Sequence, residues 1–151
     1  MKEKNKYTLI TGASSGIGYE SAKLFASKGK NLIIVARTKN NLIELKTEIL
    51  KENPSLDIII KNTDLSVVKN VYELYNSLKD YNIETLINNA GFGNYDKSFG
   101  TYHTSREMAE FLFELYTSKS IVGLIDRDTF KFKLTPPMFP DSYNSTHNQN
   151  L

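Results

Sequence analysis

Four short apolar runs alternate with three helix-like stretches between Tyr7 and Asn88, and few architectures accept that order. Tyr7–Thr11 is β-prone, and Gly12 ends it. Ile17, Ala22, Leu24, Phe25 and Ala26 mark a helix over Ile17–Lys28, with Gly29 placed as its C′ residue. Leu32–Ala36 is apolar throughout, as expected of a parallel strand buried on both faces. Leu42, Ile43, Leu45, Ile49 and Leu50 recur at helical spacing; Asn40 or Asn41 is placed to cap that helix, and Pro54 lies beyond its end. Ile58–Ile60 reads as a third strand. Ser66 is placed to cap a helix bearing Val67, Val68, Val71, Leu74, Tyr75 and Leu78, and Thr85–Asn88 reads as a fourth strand. The order βαβαβαβ predicts an α/β fold, a mostly parallel sheet with right-handed crossovers.

After Gly93 the pattern changes, so residues 1–93 are expected to form one part and residues 94–134 another. Residues 94–104 are polar and loop-like. Thr104-Ser-Arg-Glu107 fits a capping box, and Met108, Phe111, Leu112 and Leu115 continue as an amphipathic helix. Ile121–Ile125 and Phe130–Leu134 flank Asp126-Arg-Asp-Thr129 and read as a β-hairpin with one wet face. Residues 135–151, with Pro136, Pro137 and Pro140 at their start, read as a polar, disordered tail.

Composition excludes several kinds of chemistry. The 151 residues hold no cysteine, which removes disulfides, cysteine-based zinc sites and thiol catalysis. Nineteen basic against 17 acidic residues give no bulk field for nucleic acid or a membrane surface. No apolar run approaches the roughly 20 residues of a membrane helix, so a cytoplasmic setting is expected. Asp126 and Asp128 read as hairpin-loop residues, His103 and His147 as solvated, and no metal site is expected.

The chemistry concentrates at Thr11-Gly12-Ala13-Ser14-Ser15-Gly16-Ile17-Gly18, where the first strand meets the first helix. Ligands bind at the carboxyl ends of strands in such sheets. Gly12 suits a tight turn, Gly16 lets a pyrophosphate approach the backbone, and Gly18 lets the helix pack close to the strand. N–H groups at the helix start and the Ser14 and Ser15 hydroxyls supply donors to phosphate. A glycine-rich turn without a ligand is the plainer alternative.

Thr11–Gly18 after a first strand, Asp64 after the third and Asn88-Asn89-Ala90-Gly91 after the fourth resemble the coenzyme half of the short-chain dehydrogenase/reductase family. The likeness covers residues 7–93. It implies a Rossmann-type, doubly wound parallel sheet in the order 3-2-1-4, here truncated to about four strands, and NAD(H) or NADP(H) as cofactor. It also implies that Asp64 and Leu65 contact the adenine and that Asn88, Ala90 and Gly91, with Ile17 in the turn, line the cofactor. Asp64 also reads as a helix-start acid before Ser66. In that order the fourth strand is an edge, and the Ile121–Leu134 segment or the helix before it is expected to cover its flank.

An NAD site usually carries an acid about 20 residues past the glycines. No Asp or Glu occurs from Lys23 to Ile43, and the second strand ends in Val35-Ala36-Arg37-Thr38-Lys39. Arg37 suits a 2′-phosphate through its planar fork, so NADP(H) is expected over NAD(H). The family's catalytic pair is a Tyr and a Lys four residues apart, with a Ser upstream. Beyond Gly91 the Tyr residues are Tyr95, Tyr102, Tyr116 and Tyr143, and their +4 neighbours are Phe99, Arg106, Ser120 and His147. Tyr19/Lys23 and Tyr75/Lys79 have the spacing but fall in scaffold helices. No catalytic residue is therefore assigned. The expected function is that of an NADP(H)-dependent oxidoreductase with little activity alone; an NADP(H)-binding regulatory or partner module, or a truncated gene fragment, are the alternatives. A homo-oligomer or a partner chain stays open.

Overall fold

The computed structural model describes residues 5–91 and 104–118 and the strands at 122–125 and 132–135. Of the expected loop at 94–104 all but Thr104, the hairpin turn with Asp126 and Asp128, and the expected tail apart from Thr135, which ends β6 instead, lie outside the described residues. The elements run β1 (Lys6–Thr11), α1 (Gly16–Ser27), β2 (Asn31–Ala36), α2 (Lys39–Glu52), β3 (Ile58–Asn62), α3 (Val68–Leu78), β4 (Asn82–Ile87), α4 (Ser105–Thr117), β5 (Val122–Ile125) and β6 (Phe132–Thr135). The first four strands form one parallel sheet in the order β3-β2-β1-β4. This is the Rossmann-like α/β architecture that the resemblance implied.

Burial explains why the central strands are legible. Ile10 on β1 and Leu32, Ile33, Ile34 and Val35 on β2 are fully buried, because helices cover both faces. On one face Tyr7, Leu9, Ile33 and Val35 pack with Leu65 and with Leu74 and Leu78 of α3. α1 and α2 are joined by Glu48, which accepts from the Tyr19 hydroxyl and, at 2.8 Å, from Lys23 Nζ. α1 ends in a Schellman motif: Gly29, at φ 77°, donates to the Ala26 carbonyl, and the Lys30 N–H donates to that of Phe25.

The helix starts differ from the sequence expectation. α2 begins at Lys39 with Thr38 as N-cap, so neither Asn40 nor Asn41 caps it. α3 begins at Val68 with Val67 as N-cap; Ser66 instead donates its N–H and hydroxyl to Asp64 Oδ1 at 3.0 and 2.7 Å. α2 thus starts earlier than expected, with two residues between it and β2, and α3 one residue later than expected, and neither N-cap makes a side-chain bond that would have marked it in the sequence. β4 starts at Asn82, earlier than expected, and a register shift between Tyr7 and Thr8 leaves Glu84 without a β1 partner.

The capping box of α4 is formed: the Thr104 N–H reaches Glu107 Oε2 at 2.7 Å, and the Glu107 N–H reaches Thr104 Oγ1 at 3.2 Å. The chain divides into two compact units, residues 1–110 and 111–151. In the second, β5 and β6 pair antiparallel as a two-stranded sheet of their own, with Val122 opposite Thr135. In the first unit β4 is an edge strand of the four-stranded sheet, and its Leu86 is 59% exposed. Val68, Tyr72 and Tyr75 of α3 are also exposed, at 70%, 66% and 64%.

Candidate functional site

All four strands are parallel, so Thr11, Ala36, Asn62 and Ile87 end at the same edge of the sheet. The segments that follow them carry every residue singled out as a site candidate: the turn at 12–18, Arg37, Asp64 with Leu65, and 88–91. The topology thus gathers at one edge residues spread over most of the first unit.

The turn is tightly built. Gly12 and Gly16 take φ values of 69° and 58°, which a side chain disfavours. A Cβ on Gly12 would stand 2.9 Å from Asn89 Nδ2 and 3.1 Å from Ala90 Cα. A Cβ on Gly18 would stand 2.3 Å from the Gly12 carbonyl oxygen, so α1 enters directly against the turn. A Cβ on Gly16 would meet Ser105 Oγ at 3.7 Å, an ordinary contact. The Ala13 N–H donates to the Val35 carbonyl at 3.2 Å, and Asn41 Nδ2 donates to that of Ser14 at 3.3 Å. Ser15 is the extended N-cap of α1 and makes no side-chain cap bond. Neither α1 nor α2 has an acid in its first turn, so no carboxylate there offsets the positive end of either helix dipole.

Thr11 was not singled out as a site residue, yet it joins the turn to the segment after β4. Its hydroxyl donates to Asn88 Oδ1 at 3.2 Å and accepts from the Asn89 and Ala90 N–H groups at 3.0 and 2.9 Å. Asn89 Nδ2 reaches back to the Thr11 and Gly12 carbonyls at 3.3 and 3.4 Å. The only sequence signal was a threonine closing a strand before a glycine turn. A hydroxyl that donates once and accepts twice suits that junction, where ladder bonding stops.

Asp64 lies after β3, and Ser66 donors hold its carboxyl below the usual carboxylate range, with the charge of Arg37 adding to the effect. Arg37 is exposed at the end of β2. Of the two scaffold Tyr/Lys pairs, Lys79 lies over the exposed Tyr75 ring at 5.2 Å on the surface of α3, whereas Lys23, over the Tyr19 ring at 5.5 Å, bonds Glu48 together with Tyr19 and so belongs to the joint between α1 and α2. Among the described residues no group of three or more His, Cys, Asp or Glu is placed to hold a metal, and no helix is long and apolar enough to cross a membrane.

A parallel sheet ordered 3-2-1-4, with a glycine turn and three further segments at its carboxyl edge, defines a Rossmann-like α/β protein. More narrowly, the chain belongs to the short chain dehydrogenase family, whose model matches residues 6–117. It is 40% identical over 92 residues to a very-long-chain 3-oxoacyl-CoA reductase of Coccidioides immitis, covering 58% of this chain and 26% of that one. A bulky-bulky ketone specific alcohol dehydrogenase from Comamonas testosteroni superposes with a TM-score of 0.55 at 41% identity, over 59% of this chain and 36% of that one. A short-chain dehydrogenase from Sphingobium yanoikuyae in complex with NADPH superposes at 0.55 with 32% identity, over 74% and 44%. The chain spans less than half the length of each of these relatives.

Proposed function

We propose that this chain is the cofactor-binding part of an NADP(H)-dependent short-chain oxidoreductase. The parent reaction is hydride transfer between a nicotinamide and a carbonyl or alcohol. In this reading Gly12, Ser14, Ser15, Gly16, Ile17 and Gly18 receive the pyrophosphate at the start of α1. Asp64 and Leu65 flank the adenine, and Asn88, Ala90 and Gly91 line the cofactor beyond it. The observation that carries the choice of NADP(H) is Arg37 at the carboxyl end of β2, in a stretch from Lys23 to Ile43 that holds no acid. A guanidinium pairs with a 2′-phosphate, whereas an acid there would repel it. The NADPH complex of the Sphingobium relative supports the same choice.

We assign no catalytic residue, since no Tyr after Gly91 has a Lys four positions on. Little or no turnover is expected from this chain alone. A second reading is an NADP(H)-binding module that regulates or completes a partner; a cofactor-dependent change in partner binding would favour it. The setting we propose is cytoplasmic. Titration with NADPH and NADH tests the cofactor: NADPH binds tighter, and Arg37→Ala removes the difference. Tighter NADH binding, unaltered by Arg37→Ala, would sink the proposal. An NADPH oxidation assay over a panel of carbonyls tests activity; clear turnover, abolished by a substitution beyond Gly91, would restore a catalytic role to this chain.

A further inference from the structure

Asn62 closes β3 opposite Ala36, and its side chain reaches past the last rung of the β2–β3 ladder. Its Nδ2 donates to two successive carbonyls, Ala36 at 3.0 Å and Arg37 at 2.7 Å. The Thr63 N–H adds a third bond, to the Ala36 oxygen at 3.0 Å. The backbone of Arg37 is thus held where β2 has ended and α2 has not begun. Just beyond it, Asn41 Nδ2 ties the first turn of α2 to the Ser14 carbonyl. The stretch from Arg37 to Asn41 is anchored from β3 on one side and from the glycine turn on the other.

We propose that Asn62 is a positioning residue for discrimination between NADP(H) and NAD(H), acting through the Arg37 backbone. This rests on the reading of Arg37 as the 2′-phosphate ligand. An arginine side chain is long and rotamer-rich, so where its planar fork arrives depends on where its backbone is fixed. Bidentate pairing with a phosphate is geometrically demanding, so a loosened anchor weakens it. NAD(H) carries a hydroxyl at that position and gains nothing from the fork. Loss of the Asn62 amide should therefore fall on NADP(H) alone, whereas a general scaffold role would weaken both cofactors together.

The test uses the full chain and titrates NADPH, NADH, 2′-AMP and 5′-AMP against the unaltered protein, Arg37→Ala, Asn62→Ala, Asn62→Leu and the Arg37→Ala/Asn62→Ala double variant, with melting temperatures alongside. Asn62→Leu keeps the branched shape at Cγ and removes the donors without adding charge, so it serves if Asn62→Ala does not fold. The expected result is that both Asn62 variants bind NADPH and 2′-AMP about five- to tenfold more weakly and NADH and 5′-AMP within about twofold of the unaltered chain. In the Arg37→Ala background, Asn62→Ala should add almost nothing, because the two residues act as one unit. Equal weakening of NADPH and NADH, or an NADPH preference lost in Arg37→Ala but intact in both Asn62 variants, would overturn the role of Asn62 alone. An unaltered chain with no preference for NADPH would overturn the reading of Arg37 and the role of Asn62 with it.

Discussion

Gly18 and Gly29 show how one residue type meets two different demands. Gly29 stands at φ +77° with nothing within 4 Å of a would-be Cβ, so only its backbone conformation calls for glycine. Gly18 has a helical setting, but a Cβ there would collide with the Gly12 carbonyl. Gly29→Ala should therefore cost about 1–2 kcal/mol, the left-handed penalty of a side chain. Gly18→Ala should cost about 3 kcal/mol or more, because backbone must move, and it should abolish NADPH binding where Gly29→Ala spares it. Denaturant midpoints and NADPH titrations on both variants check this; equal losses would mean that the turn has room to relax. Asn62 and Thr11 make the complementary point, since their main bonds join residues 25 and 77 positions apart. Their roles were invisible in a pattern read locally, although the neighbouring glycines were plain.

At the scale of elements, the α1–α2 contact is a titratable joint. Lys23 and then Tyr19 hold the Glu48 carboxyl below its ordinary range. Its contribution is present above the unfolded carboxylate range and is lost as pH falls through the lowered folded value. Glu48 in turn raises Tyr19 and Lys23, so their contributions are full below their ordinary values of 10.0 and 10.5 and are lost as pH rises beyond them. Thermal stability should be flat in between, and Glu48→Gln should flatten the decline both on the acid side and on the far alkaline side. Melting temperatures of the two chains from pH 3 to 11 check this; parallel curves would remove the joint. A different outcome is expected on α3, whose Val68, Tyr72 and Tyr75 share an exposed stripe while Leu74 and Leu78 meet the core. Replacing Tyr72 and Tyr75 by Lys should change stability by no more than about 0.5 kcal/mol each and should reduce concentration-dependent association, measured by light scattering. The strands were legible because burial on both faces of a sheet demands unbroken apolar runs, as in Leu32–Ala36. The starts of α2 and α3 were not, because Thr38 and Val67 stand at their N-caps without a side-chain cap bond, whereas the capping box that marks α4 was plain in the sequence.

For the whole molecule, the proposed site at the carboxyl edge of the sheet would couple cofactor binding to folding. On the proposed reading a cofactor is held by segments from four strands, and binding it stabilises all of them at once. NADPH at about a hundred times its Kd should add about 2.7 kcal/mol to unfolding, with NADH at the same concentration adding less. A melting-temperature series over both cofactors checks this, and no shift with either would mean that the edge binds neither. Sequence alone determined the βαβαβαβ order, the glycine turn, the strand-end positions of Arg37 and Asp64, and the resemblance that the family match bears out. Those features are local: propensity, burial period and turn chemistry are written in neighbouring residues. Tertiary structure decided which side chains hold the site together. It set Asn62 on the Arg37 backbone, Thr11 on the segment after β4, and Asn41 on the glycine turn rather than at a helix cap. Such choices depend on parallel register and crossover packing, which bring polar groups from distant stretches within about 3 Å of one another, and no single stretch of sequence carries that distance.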